Sequence, residues 1–228
     1  MGLTQRNERT RMIDLHSPQA FIFDLDGTLV DSEKFHVQAL AQTMRELAGY
    51  ELTPDDIEAF KGNTSRDLAT RLAHRHGWAL DIERVVQRKF ELVYEVFRTE
   101  PFAGVCEFLQ HWRGKTRFAV ASNSPTHFVE RVLRDLAVLD AVEVVCTVDD
   151  VTHRKPDPEM LHLVLDRLGL PPEQTLVFED SLLGVQAALA ATCPVVIVDT
   201  PASIEAGEPP PGLPTASWPE LIAASSPR

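Results

Sequence analysis

Short apolar runs alternate with stretches of helical rhythm along most of this chain. The first run, A-F-I-F over 20–23, is cut off by Asp24, and Asp26 and Gly27 follow at once. Runs of this length, rich in β-branched and aromatic residues, predict buried strands. Further strands are predicted over 117–121, 142–147, 175–178 and 194–198. Between them, apolar residues spaced three and four apart predict helices over 105–112, 125–136 and 181–191. Lys155-Pro156-Asp157-Pro158 opens another helix, running to Leu168 before Gly169. Five strands alternating with helices predict an α/β fold: a doubly wound parallel sheet with helices on both faces. Such sheets bind ligands at the carboxyl ends of their strands. Polar residues gather at those ends: Asp24 and Asp26, Ser122 and Asn123, Glu179 and Asp180.

One long segment breaks the alternation. From 53 to 99 there is helical rhythm and no strand. Ser32 is the expected N-cap of a helix over 33–47 that Gly49 ends, and Thr53-Pro54 starts the next one. Residues 33–100 are therefore expected to form a small all-helical domain of about four helices, inserted after the first strand. The core domain would comprise 18–32 and 101–228. Residues 1–17 read as a loose tail, within which Met12 is an alternative start. The Pro- and Gly-rich stretch 201–214 reads as an irregular loop, and Ser217 as the cap of a last helix.

Composition narrows the function. A chain of 228 residues with 44% apolar and 25% charged side chains is globular and long enough for one ordinary domain and a smaller one. The net charge of −12 argues against a nucleic-acid partner. Cys106, Cys146 and Cys193 are odd in number, widely spaced and set in apolar context, so they are expected to be buried thiols rather than a disulfide framework or a zinc site. The polar start lacks the apolar core of a secretory signal, and Arg6 stands where a myristoylated Gly2 would need Ser or Thr. The most apolar stretch, 182–198, is broken by Gly184, Gln186 and Pro194, so no membrane partner is expected. A cytoplasmic monomer is the expectation.

The candidate chemistry starts at Asp24 and Asp26. If the first strand continued through Leu25, the two carboxylates would share a face. Two close like charges repel, and a divalent cation relieves them, which suggests a hard-metal site. The plain alternative is a strand end that happens to be acidic.

The stretch D-L-D-G-T-L-V-D-S, 24–32, resembles the first signature of the haloacid dehalogenase (HAD) superfamily, whose members are mostly phosphatases. That resemblance implies a Rossmann-like core with an inserted helical cap. It implies that Asp24 is the nucleophile toward phosphorus. Asp26 would be the general acid and base, and a metal ligand through its main-chain carbonyl. Ser122 resembles the second signature, and with the Asn123 backbone amide would bind phosphoryl oxygen; Ser-Asn-Ser-Pro is also ordinary helix-start chemistry. Lys155 in K-P-D-P resembles the third signature and would neutralise Asp24 and the phosphoryl group. Glu179-Asp180, in F-E-D-S-L-L-G-V, resembles the fourth; with Asp24 and Asp26 it would hold the metal. Gly184 would let the following helix approach the sheet. Oxygen-only ligands and phosphate chemistry favour Mg2+.

In this superfamily a helical insert at this position closes over the site and supplies specificity. His36, Lys61 and Arg66 are the candidates there. F-K-G-N-T-S-R resembles the K-G-x-S-R stretch of β-phosphoglucomutases with one extra residue, and F-K-G resembles sugar-phosphate phosphatases. His36 stands where the mutases have a histidine that helps gate the general acid. Otherwise His36 is a helix-face histidine beside Glu33 or Leu40, and Lys61 and Arg66 are solvated charges. Three functions compete: a Mg2+-dependent phosphatase acting on a small phosphorylated metabolite, such as a sugar or sugar-acid phosphate; a β-phosphoglucomutase; and a non-catalytic phosphometabolite-binding protein. The intact acid set argues against the last, and dehalogenases lack the second Asp and the metal.

Overall fold

The A-F-I-F run sorts the two faces of a sheet by size. In a computed structural model describing residues 13–60, 64–201 and 211–225, strand β1 (Ala20–Phe23) is central. It pairs in parallel with β2 (Arg117–Ser122) on one side and β4 (Thr175–Glu179) on the other. With β3 (Val142–Thr147), β5 (Val195–Val198) and β6 (Thr215–Ala216) the sheet has six parallel strands in the order β3-β2-β1-β4-β5-β6. The strand order reverses at β1, so the crevice beyond its carboxyl end is the switch point where such sheets bind ligands.

Side chains alternate across the pleat. Ala20 and Ile22 join Ala119, Ala121, Val177 and Ile197 in an aliphatic cluster covered by α7 (Glu159–Leu168) and α8 (Leu182–Ala190). Phe21 and Phe23 belong to the other face, where they meet Phe118, Phe178, Phe108 and Trp112 of α5 (Val105–Trp112), and Trp218 of α9 (Trp218–Ala224). Phe21 and Phe178 meet edge to face at 5.2 Å, and Phe178 and Trp218 stack at 5.5 Å. Such pairs contribute about 0.5–1.5 kcal/mol each beyond the area they bury. Helix α6 (Thr126–Asp135) follows β2.

Two compact units account for the described residues: one from those up to Asp31 and from Thr99 on, the other from Ser32–Arg98. The second is all helical, with α1 (Glu33–Ala48), α2 (Pro54–Glu58), α3 (Ser65–His76) and α4 (Ile82–Val96). Leu40, Met44, Phe60, Leu68, Leu72 and Val85 form its core. Thr53 and Thr64 each close a capping box, with Asp56 and Asp67. No described helix is long and apolar enough to cross a membrane.

Several local expectations need correction. Strand β1 stops at Phe23, so the pleat does not set the relation of Asp24 to Asp26. Asp24 still donates its amide to Phe178 O at 3.0 Å. The chain then turns, with Leu29 N and Val30 N donating to Leu25 O and Gly27 N to Val30 O. A sixth strand, β6, is present where loop leading to a helix cap was expected; Ile197 N donates to Pro214 O and Asp199 N to Ala216 O. Ser32 holds the N-cap position of α1 but makes no side-chain capping bond. Cys106 is exposed rather than buried, unlike Cys146 and Cys193, because it sits in the first turn of α5 off the face that packs on the sheet. Leu15, in the stretch expected to be a loose tail, is buried.

Candidate active site

The site is assembled by parallel strands that end side by side. Register pairs Phe23 with Val120 on one flank and with Phe178 on the other. Asp24, Ser122 and Glu179-Asp180 therefore emerge at one edge, although they are distant in sequence. Lys155 arrives on the loop after β3, at a cis Lys155–Pro156 bond.

Lys155 is 4% exposed, and its Nζ donates to Asp24 Oδ1 at 2.8 Å and to Glu179 Oε2 at 2.7 Å. Burial works against its charge, but the two carboxylates outweigh it and hold the ammonium protonated. Asp24 is pushed up to about 8, first by burial and then by the neighbouring Glu179, with Lys155 opposing. Asp180 is raised well above the usual carboxylate range, again by burial first and then by Glu179 and Asp24. Oxygens of Asp24, Glu179 and Asp180 lie within 4.8 Å of one another. Were all three carboxylates ionised, one ammonium would leave an excess of two negative charges; burial holds protons on Asp24 and Asp180 instead, and a divalent cation would take the place of those protons. The donor set, all oxygen, fits a hard cation of the Mg2+ kind.

The acids are held by neighbours that lie within the quoted motifs but were given no such role there. Thr28 Oγ1 donates to Asp180 Oδ1 at 2.7 Å. Ser181 donates to Glu179 Oε1 from both its amide (3.1 Å) and its hydroxyl (2.8 Å). Ser124 Oγ donates to Asp26 Oδ2 at 2.6 Å. Asn123 Oδ1 accepts from Lys155 N at 3.1 Å, and its Nδ2 donates to Lys155 O at 3.4 Å, so its side chain fastens the main chain that carries the lysine. Ser122 Oγ accepts from Ser124 N at 3.0 Å, leaving its hydroxyl proton to donate elsewhere. Ser122 does not cap α6, whose N-cap position is Pro125; the first helical amide, Thr126 N, donates to Asp149 Oδ2 at 2.8 Å.

Two glycines make room for these carboxylates. A Cβ on Gly27, whose φ is +85°, would lie 2.2 Å from Asp180 Oδ2. A Cβ on Gly184 would lie 1.8 Å from Glu179 Oε2. The need at 184 is thus space for Glu179, more specific than the expected approach of helix to sheet.

The other candidates belong to the helical unit. His36 Nδ1 lies against the ammonium of Lys89, a residue only 3% exposed whose Nζ also sits 4.3 Å over the Phe90 ring. Arg66 forms a two-pronged ion pair with Glu83 on the surface of that unit. Lys61 lies outside the described residues. Ser124, Thr28, Ser181, Lys89 and the side-chain role of Asn123 escaped sequence reasoning. The signals that could have found three of them are the hydroxyl-bearing positions inside the motifs, Thr28, Ser124 and Ser181.

Comparison with known proteins agrees with this geometry. Residues 18–192 match the family described as haloacid dehalogenase-like hydrolase. The chain is 32% identical over 175 residues to the fructose-1-phosphate phosphatase YqaB of Escherichia coli, covering 75% of this chain and 90% of that one. It is 33% identical over 178 residues to a phosphorylated carbohydrates phosphatase of Thermotoga maritima, covering 76% and 81%. Among solved structures, a putative β-phosphoglucomutase from Thermotoga maritima is similar with a TM-score of 0.68 at 30% identity, covering 90% of this chain and 97% of that one. With four acid, hydroxyl and lysine signatures meeting at one sheet edge, the chain belongs to the haloacid dehalogenase-like hydrolases, in their phosphatase branch.

Proposed function

We propose that the protein hydrolyses a small phosphorylated metabolite, a sugar or sugar-acid phosphate, with Asp24 as nucleophile and a divalent cation, Mg2+, as cofactor. The observation that carries this reading is the buried Lys155 ammonium shared by Asp24 and Glu179, with Asp180 beside them. Asp24, Glu179 and Asp180 would hold the cation, with the main-chain carbonyl of Asp26. When bound, it would polarise the phosphoryl oxygens and offset the charge that keeps Asp24 protonated.

An Asp24 oxygen attacks phosphorus in line. The bond from phosphorus to the ester oxygen breaks, and Asp26 gives that oxygen its proton. Asp26, now a carboxylate, takes a proton from water. The resulting hydroxide displaces Asp24 from phosphorus, which releases phosphate and restores both acids. The Ser122 hydroxyl and the Asn123 amide donate to phosphoryl oxygens, and Lys155 offsets the charge gathered on them. His36, Lys61 and Arg66 would serve recognition of the rest of the substrate. The carbohydrate phosphatases named above support the substrate class.

The test is a panel of phosphate esters assayed for phosphate release after exhaustive chelation, then with Mg2+ or Ca2+ added. Sugar phosphates should be hydrolysed with Mg2+ and poorly with Ca2+, whose larger and looser shell spoils in-line geometry. Full activity after chelation overturns the metal reading. A second reading, transfer to a sugar hydroxyl, is supported by the likeness to the putative β-phosphoglucomutase. It predicts isomeric sugar phosphate in place of free phosphate as product.

A further inference from the structure

The C-terminal segment reaches back to the loop that follows β1. Thr200 Oγ1 donates to Gly27 O at 2.8 Å, and Trp218 Nε1 donates to Thr28 O at 2.9 Å. Both bonds are buried, and the two acceptors are consecutive carbonyls of the signature loop. Among the described residues neither carbonyl has a strand partner, since β1 has already ended. A buried carbonyl without a donor is costly, so the two side chains fix the plane of the Gly27–Thr28 segment.

That segment bears directly on the acidic centre. The Thr28 hydroxyl orients Asp180, and Gly27 lies so close to Asp180 that even a methyl group would collide with it. A tilt of this segment would move the hydroxyl that holds Asp180 Oδ1. Trp218 is itself locked, stacked on Phe178 and packed on Phe108 at 5.0 Å, while Gly104 leaves space for its Cβ. Neither Thr200 nor Trp218 falls within the matched family region, 18–192.

We propose that Thr200 and Trp218 are positioning residues for the cation site, acting through Gly27 and Thr28 on Asp180. The inference rests on the proposed cation site. A group that bonds a metal ligand directly, as Thr28 bonds Asp180, is typically worth one to two orders of magnitude in metal affinity, and Thr200 and Trp218 act one bond further out, so the lower end is expected.

The test compares wild type with Thr200→Val, which is near-isosteric and removes the donor, with Thr200→Ser, which keeps it, and with Trp218→Phe, which removes the donor together with part of a buried ring, so that its loss of Tm is read apart from its Mg2+ response. Two quantities are read: the rise in Tm caused by Mg2+ alone, and the Mg2+ concentration for half-maximal hydrolysis of p-nitrophenyl phosphate. Thr200→Val and Trp218→Phe should each raise the half-saturating concentration by about tenfold and shrink the Mg2+-dependent rise in Tm. Thr200→Ser, which keeps the donor, should behave as wild type. If the two variants lower Tm but respond to Mg2+ as wild type does, the residues are structural and the inference fails alone. If wild type itself shows no Mg2+ response, the cation site falls and the inference with it.

Discussion

Lys155 Nζ lies 2.8 Å from Asp24 Oδ1, although 131 residues separate the two in the chain. Replacing Lys155 by Met would leave three carboxylates buried without their cation. The cost should be about 3–5 kcal/mol, because a buried pair broken on one side leaves uncompensated charge. Urea unfolding at neutral pH measures it. A loss below about 1 kcal/mol, the scale of an exposed pair, would mean that the ammonium is not confined as described.

Asp24→Asn should abolish turnover and leave the fold intact. A wild-type far-UV spectrum and a Tm no lower than that of wild type, together with undetectable phosphate release, are the expected result. Substantial activity in the folded variant would remove Asp24 from the nucleophile role.

The same variant reports the titration of the site. Asp24 is held at about 8 in the folded protein, against about 3.9 in an unfolded chain. Between those values the folded state binds more protons than the unfolded one, so this group makes stability fall as pH rises. Asp180 shifts in the same direction. In chelator, wild type should therefore lose stability relative to Asp24→Asn across the window from about pH 4 to about 8. The difference should be smallest at the acid end. A gap that stays constant across the window would refute the raised titration.

Gly184→Ala should cost about 1–3 kcal/mol, as overpacking of a filled site does. The added methyl would push Glu179 away from Lys155, so the Mg2+ response should fall as well. A variant with wild-type Tm and wild-type Mg2+ response would show that Glu179 has room to move.

Arg66→Ala separates recognition from surface pairing. Arg66 is 46% exposed on its side chain and is paired with Glu83, so the loss in stability should stay below about 1 kcal/mol. If Arg66 reads a distal anion, kcat/KM for the sugar phosphate should drop by roughly ten- to a hundredfold, with p-nitrophenyl phosphate nearly unaffected. Equal losses on both substrates would assign Arg66 to the packing of the helical unit.

The chemistry of the site was legible where it is written as contiguous motifs. Asp24 and Glu179-Asp180 each sit at a polar break after an apolar strand, and strand alternation brings those breaks to one edge; Lys155 was legible from K-P-D-P, on the loop after β3. The helical insert was legible from its capping residues, Thr53-Pro54 and Gly49, which act within a few residues of themselves. Strand β6 was not legible: two residues beside a Pro- and Gly-rich stretch carry no periodicity, and its pairing with β5 decides the matter. Nor was the hold of Ser124 on Asp26, of Asn123 on the Lys155 main chain, or of Trp218 on Thr28. Each joins residues whose proximity exists only after the sheet has formed. Cys106 misled because an apolar neighbourhood in sequence says nothing about which side of a short helix faces out.

The segregation of small and aromatic side chains across the sheet works as a ruler for the nucleophile. Ala20 and Ile22 fit only the aliphatic layer under α7 and α8, and Phe21 and Phe23 fit only the ring cluster around Phe178. Sliding β1 by one residue would exchange the layers, forcing rings into a space shaped for Ala and leaving voids among the aromatics. The same slip would move Asp24 by about 3.3 Å along the strand axis, farther than the length of its bond to Lys155. Four core residues that touch no substrate thereby fix the address of the attacking oxygen, so a repacked β1 could keep every catalytic residue and still be inert.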